Sequence, residues 1–271
     1  SVTTSTTTKI SLANNDTLTV SNAGSIDRTG TRAVDGGWRT FSTSSTTITN
    51  AGTITASSGQ TIYAYDATNF SLNNSGTIST PSGEAYNVYL PSSNGTTTII
   101  NSGTISSGDW NSLDVSAGAN VTVTNSGTIS ATSYQAIRAN GVSEDGITIN
   151  NSGTITASNT SIYLYQSPGA TVINSGTIRA TSGHDAVWTA YTDDITVTNS
   201  GTIQSDTGYA MSSIGYSGGE NLTLTNTGTI QGSSYDLHVS SDTGIGTLSN
   251  DQGGNDALKL VGYLPVVYNI I

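Results

Sequence analysis

A pentapeptide, Asn-(Ser/Ala/Thr)-Gly-(Thr/Ser)-Ile, recurs nine times along these 271 residues, with its asparagines at Asn22, Asn50, Asn74, Asn101, Asn125, Asn151, Asn174, Asn199 and Asn226. Successive copies lie 28, 24, 27, 24, 26, 23, 25 and 27 residues apart. A period of this size, held from end to end, marks a solenoid in which each repeat is one coil. It constrains the architecture far more than the activity, because a solenoid is a scaffold whose faces carry the function.

The residues around the motif show how a coil is built. Val121-Thr122-Val123-Thr124, Ile195-Thr196-Val197-Thr198 and Leu222-Thr223-Leu224-Thr225 alternate apolar and polar ahead of the asparagine. That alternation is the period-two pattern of a half-buried strand. Three positions before the asparagine stands a column of Thr19, Thr47, Ser71, Thr98, Thr122, Thr148, Thr171, Thr196 and Thr223, expected to form an outward ladder. The motif Asn and Gly are expected to turn the chain, Gly through its access to positive φ and Asn through bonds to the backbone or to its own copy in the next coil, a ladder of Asn50, Asn74, Asn101, Asn125, Asn151, Asn174, Asn199 and Asn226. The invariant isoleucine, Ile26 through Ile230, belongs to the core.

A third segment follows, with inward positions Val34, Ile62, Tyr86, Leu113, Ile137, Ile162, Val187, Met211 and Leu237. It starts 7 to 9 residues after the motif isoleucine, so that corner is short. From the third segment to the next asparagine the distance ranges from 12 to 16 residues. The variable corner therefore follows strand three and carries Pro91 to Gly95, Gly141 to Gly146 and Tyr216 to Glu220. Three parallel strands per coil and about ten coils, stacked at about 4.8 Å, predict an all-β parallel β-helix on the order of 50 Å long. Residues 1–20 read as an N-terminal capping coil, 21–250 as the repeats, and 251–271 as an atypical segment that continues in a longer native chain.

Composition narrows the partners. Lys and Arg total 7 against 18 Asp and Glu, a formal charge of −11, which argues against nucleic acid and anionic membranes as partners. No apolar run approaches the ~20 residues of a spanning helix. Cysteine is absent, and an acidic Thr/Asn/Gly-rich repeat without it points to an exported bacterial protein.

The run of Asn-Ser-Gly-Thr-Ile coils opens with Asp16-Thr17-Leu18-Thr19-Val20 and closes with Leu264-Pro265 and Tyr268-Asn269-Ile270-Ile271. In this it resembles the passenger region of bacterial autotransporters over almost its whole length. The resemblance implies a right-handed parallel β-helix at the outer cell surface or outside the cell. It also implies attachment to the membrane only through a C-terminal β-barrel missing from these residues. Adhesion, self-association and enzymatic roles all occur in that family, and an enzyme there usually needs an added globular domain, for which no insertion here is large enough.

Outward positions of strand three hold the aromatic residues. One column reads Asp35, Tyr63, Asn87, Asp114, Arg138, Tyr163, Trp188, Ser212 and His238. The next contains Tyr65, Tyr89, Ser116, Asn140, Tyr165, Ala190 and Ile214. Tyr63, Tyr65 and Tyr89 are expected to form one cluster and Tyr163, Tyr165 and Trp188 a second, with Arg138 between them. Such rings suit stacking on a surface glycan, anchoring a protein, or meeting copies of the same chain. The plain alternative is that aromatics are good strand formers filling the outer pleat.

The chemistry of the remaining groups is sparse. Glu144, Asp145, Asp193, Asp194, Asp206 and Glu220 lie on or near corners and could gather Ca²⁺, as could Gly253 to Leu258, with solvated charge as the default. No cofactor is otherwise expected. A polysaccharide-cleaving site needs a carboxylate pair or a Ca²⁺ cluster beside a base. Asp114 and Arg138 lack a second carboxylate, and His184 and His238 lie about two coils apart, so the reading is not an enzyme. An ice-binding Thr-x-Thr array, seen in Thr122/Thr124 and Thr196/Thr198, is broken by Asn73, Ile100, Asn150 and Ile173.

Overall fold

The computed structural model of the chain describes residues 1–13, 15–36, 45–65, 69–83, 86–89, 95–118, 120–142, 146–214, 220–239, 243–250 and 260–262. Among them there is no helix, and every strand belongs to one of three parallel sheets of 10, 11 and 10 strands. One coil contributes one strand to each sheet, as Val121–Asn125, Thr128–Ala131 and Ile137–Val142 do. The chain is a parallel β-solenoid, as the repeat predicts.

The first sheet, here the ladder sheet, runs from Thr17–Val20 through Ser45–Asn50 to Thr243–Asn250. Its motif asparagines pair rung on rung, Asn101 with Asn125 and Asn125 with Asn151. The second, the isoleucine sheet, aligns Ile26, Ile54, Ile78, Ile105, Ile129, Ile155, Ile178, Ile203 and Ile230, none more than 2% exposed. Each such side chain contributes about 2–3 kcal/mol on burial. The third, the aromatic sheet, aligns Leu113, Ile137, Ile162 and Val187 inward. Leu260–Gly262 adds its last strand, against Leu237–Val239. At the other end Val2, Ser5–Thr6 and Ile10–Ser11 each pair with one sheet.

Two details of the repeat differ from the sequence reading. The ladder begins at Asn50, as expected, but the column alignment before it is shifted. Thr17 pairs with Thr47 and Val20 with Asn50, so the first corner holds two extra residues and leaves Asn22 exposed. The Thr column accordingly begins at Thr17, and Thr19 lies beside Thr49. The motif glycines also serve a different purpose. None of the motif glycines Gly24, Gly52, Gly76, Gly103, Gly127, Gly153, Gly176, Gly201 and Gly228 has a positive φ. They are needed because the coils approach too closely for a Cβ. The Thr128 N–H donates to the Gly103 carbonyl at 2.8 Å, and a Cβ on Gly127 would lie 2.1 Å from that oxygen.

Candidate functional site

The solenoid carries two kinds of corner. At the one between the ladder and isoleucine sheets, each asparagine amide donates to the Oδ1 of the next asparagine. The distances from Asn50 to Asn226 are 2.7–2.8 Å throughout. The same Nδ2 reaches two carbonyls, as Asn125 does to Gly127 and Thr154 at 3.2 Å. These amides are buried and their donors are used within the coil stack, so this corner holds structure and leaves little for a ligand. The Oδ1 of Asn50 is buried without a donor, because Val20 occupies the rung before it.

The short corner ahead of the aromatic sheet is different. Three residues before the inward strand position, successive coils place Gly59, Gly83, Trp110, Tyr134 and Asn159. Trp110 and Tyr134 are 49% and 43% exposed, and their rings stack at 5.1 Å with planes 6° apart. That spacing is close to the coil rise of about 4.8 Å, so the two rings form a fin standing on adjacent coils. A trough lies on each side of it. One, lined by Gly59, Gln60, Gly83 and Trp110, encloses about 230 Å³. The other, lined by Trp110, Asn111, Tyr134, Gln135, Arg138, Tyr163 and Trp188, encloses about 360 Å³. The latter is within the range of roughly 300–1,000 Å³ typical of small-molecule sites.

Polar contacts fix the base of the fin. The Ser107 hydroxyl donates to the Trp110 carbonyl and is 3.0 Å from the Ser112 hydroxyl. Asn111, buried, accepts from the Gln135 N–H at 3.2 Å and donates to Asp114 at 3.0 Å. Asp114 sits in the outward column, yet it is only 2% exposed. Its carboxylate also accepts from the Ser116 hydroxyl at 3.1 Å and from Arg138 Nη1 at 3.2 and 3.0 Å. Three side chains thus hold Asp114 through four hydrogen bonds, and Asp114 in turn holds the Arg138 guanidinium at the trough. Ser212 and Ala190 are likewise buried in columns read as outward.

The second predicted cluster forms and is larger than expected. Tyr163 packs edge-on to Trp188 at 5.0 Å and stacks on Tyr165 at 6.1 Å. Tyr165 meets Tyr191 edge-on at 5.3 Å, and His184 lies parallel to Trp188 at 6.4 Å. Burial raises the Tyr163 phenol above its ordinary range, with Arg138 opposing the shift. The Trp188 indole N–H is buried with no hydrogen-bond partner among the described residues. Of the first predicted cluster, Tyr65 and Tyr89 are adjacent in register, and their side chains lie outside the described residues. Tyr63 meets Arg32, whose guanidinium carbon lies 3.8 Å from its ring centroid, and Arg32 also lies 3.6 Å from Asp35. One face of Tyr63 is therefore covered from within the chain.

Sequence reading missed Trp110 and Tyr134, the most exposed rings of the site, because it looked for variation in the corner after strand three. The available signal was a single column changing from glycine to aromatic in two adjacent coils. The variable-corner residues 91–94, 143–145 and 215–219 lie outside the described residues. So do Gly253 to Leu258, one of the candidate Ca²⁺ segments. Asp206 is held by Arg179 at 2.7 and 3.1 Å, and Asp194 accepts from Asn221 at 3.0 Å. Among the described residues no three His, Asp or Glu side chains come together as a metal would require. His184 and His238 pack against separate partners, Trp188 and Tyr209.

No protein family, no curated protein and no solved structure matches this chain.

Proposed function

We propose that this chain is the β-helical passenger of an autotransporter-like protein, displayed outside a bacterial cell as an adhesive or structural rod. In this reading it attaches through the aromatic side of the rod rather than cleaving a substrate. The observation that carries the proposal is a pair of ring groups along one side of the rod, Trp110–Tyr134 and, across a trough, Tyr163 with Trp188, Tyr165 and Tyr191. Rings that only filled an outer pleat would be covered, whereas Trp110, Tyr134 and Tyr191 keep 40–49% of their surface in water. Large aromatic surface left exposed, with polar groups at its base, is what a contact anchor needs. A rod-shaped scaffold, cysteine-free and acidic, suits display in a changing extracellular medium.

The test is attachment of chain-coated beads to host-cell or bacterial surfaces, comparing wild type with Trp110, Tyr134, Tyr163 and Trp188 all changed to Ala. Attachment is expected to fall to background while the circular dichroism spectrum stays that of a β-rich protein. Undiminished attachment by the folded variant would rule the aromatic side out. The same rings are also what two copies would bury against each other, as are Ile100 and Ile173, exposed on the separate ladder sheet. Sedimentation over a wide concentration range separates the two: ordered association would favour a self-assembling surface lattice, and a monomer a foreign ligand.

A further inference from the structure

We infer that the trough between the Trp110–Tyr134 fin and the Tyr163–Trp188 pair is a subsite for one uncharged pyranose ring of a glycan. This rests on the adhesive reading above and names the chemistry of its ligand. The first argument is spacing. Tyr134 and Trp188 stand on coils two apart, a separation of roughly 10 Å along the rod. A saturated six-membered ring in contact with an aromatic plane on each face needs about 3.5–4 Å per contact. Tyr163 stands on the coil between them and lines the same trough, whose volume of about 360 Å³ accommodates one such ring. The intervening coil carries the small Asn159 and Thr160 at its corner, so the trough opens there, and Tyr163 on its strand forms one wall.

The second argument is the polar lining. The Arg138 bonds to Asp114 both use Nη1, so its Nη2 and Nε N–H groups are not part of that pair. Trp188, which also lines the trough, has an indole N–H that is buried and unpartnered, so a ligand would reach it only on a turn of the ring. The trough thus offers N–H donors and a ligand must bring acceptors. Leaving a buried donor unpaired costs about 1–3 kcal/mol, so a hydroxyl oxygen that reached it would bind with a corresponding advantage. Sugar hydroxyls are acceptors set around a ring whose C–H faces carry partial positive charge, the complement of an aromatic face.

The third argument is charge. Arg138 is already neutralised by the buried Asp114, and the chain carries −11 overall. An anionic sugar would meet a repulsive field with no uncompensated cation in the trough to offset it. Neutral hexoses and N-acetylhexosamines fit the site, and uronic acids do not.

The experiment is tryptophan-fluorescence titration and calorimetry on the full chain. The probes are neutral hexamers of glucose, mannose, galactose and N-acetylglucosamine, with polygalacturonate as the anionic control. At least one neutral hexamer is expected to give saturable binding, weakened tenfold or more in Tyr134→Ala and severalfold in Trp188→Phe, which keeps the ring and removes the N–H. Polygalacturonate is expected not to bind. The inference is overturned if no neutral hexamer binds, if binding is unchanged in both variants, or if the anionic polymer binds as well as the neutral ones. The bead assay separates the two failures. Attachment lost in the four-residue variant with no hexamer bound would leave the adhesive reading standing and remove the sugar subsite. Attachment that survives in that variant would remove both.

Discussion

At the corner between the ladder and isoleucine sheets, seven asparagine amides in a row repeat one bonding pattern, each filling the same three acceptors. At the corner before the aromatic sheet the occupant changes from coil to coil: two glycines, then Trp110 and Tyr134, then Asn159. The first corner is a lattice in which each rung completes its neighbour, so a change in one coil is felt in the next. The second is pinned coil by coil, through Ser107, Asn111 and Asp114, and tolerates a new side chain at each level. Repetition secures the rod, and local pinning frees one side of it to vary.

The sharpest way to break this contrast is to add one methyl group at each corner. In Gly127→Ala the Cβ would lie 2.1 Å from a backbone oxygen of the coil below, which cannot move without its own strand. A loss of more than about 3 kcal/mol is expected, read as a drop in the urea midpoint. Gly183→Ala, near the aromatic corner, meets nothing within 4 Å and bears only the strain of its φ of 107°. About 1–2 kcal/mol is expected there. Equal effects at the two sites would undo the comparison.

A smaller effect tests the ladder itself. Asn125→Ala strips the donor from Asn151 Oδ1 and two carbonyls and removes the acceptor of Asn101. With each abandoned buried group worth about 1–3 kcal/mol and partial relaxation, a net loss of about 3 kcal/mol is expected. Asn22→Ala, the same substitution in the same motif, should fall within about 0.5 kcal/mol of wild type because Asn22 is exposed and off the ladder. Thermal melts of the two variants decide it.

The smallest effect is alkaline and belongs to the aromatic side. Burial raises the folded-state pKa of Tyr163 above its ordinary 10.0, so the neutral phenol is favoured by folding. Its contribution is complete below pH 10.0 and disappears as pH rises through the raised folded value. Wild type should therefore lose slightly more stability than Tyr163→Phe on going from neutral to strongly alkaline pH. Parallel pH profiles of the urea midpoint would remove Tyr163 from this role.

Most of the fold was legible in the sequence because one coil's inward residues are fixed by local alternation, and a repeat makes that alternation visible nine times. The asparagine column was legible for the same reason, and so was the cluster of Tyr163, Tyr165 and Trp188, which sit on one strand face and its neighbour. The Thr column was aligned on Thr19 where Thr17 stands because the motif is shared while the register is not, and only the pairing of Val20 with Asn50 shows the two-residue offset. Asp114 looked like an exposed charge. Its burial under Asn111, Ser116 and Arg138 depends on groups from two coils meeting at one carboxylate. The fin of Trp110 and Tyr134 lay unread because its rings stand on the short corner before strand three, outside the strand alternation that revealed Tyr163 and Trp188.

What the chain determined by itself was the repeat: the strand period, the isoleucine core and the parallel stacking they require, all set by interactions within a coil or between identical positions. What only the tertiary structure decided was which unlike residues meet across coils. The variable insertions set that register, and a trough exists only where a large side chain on one coil faces small ones on the next.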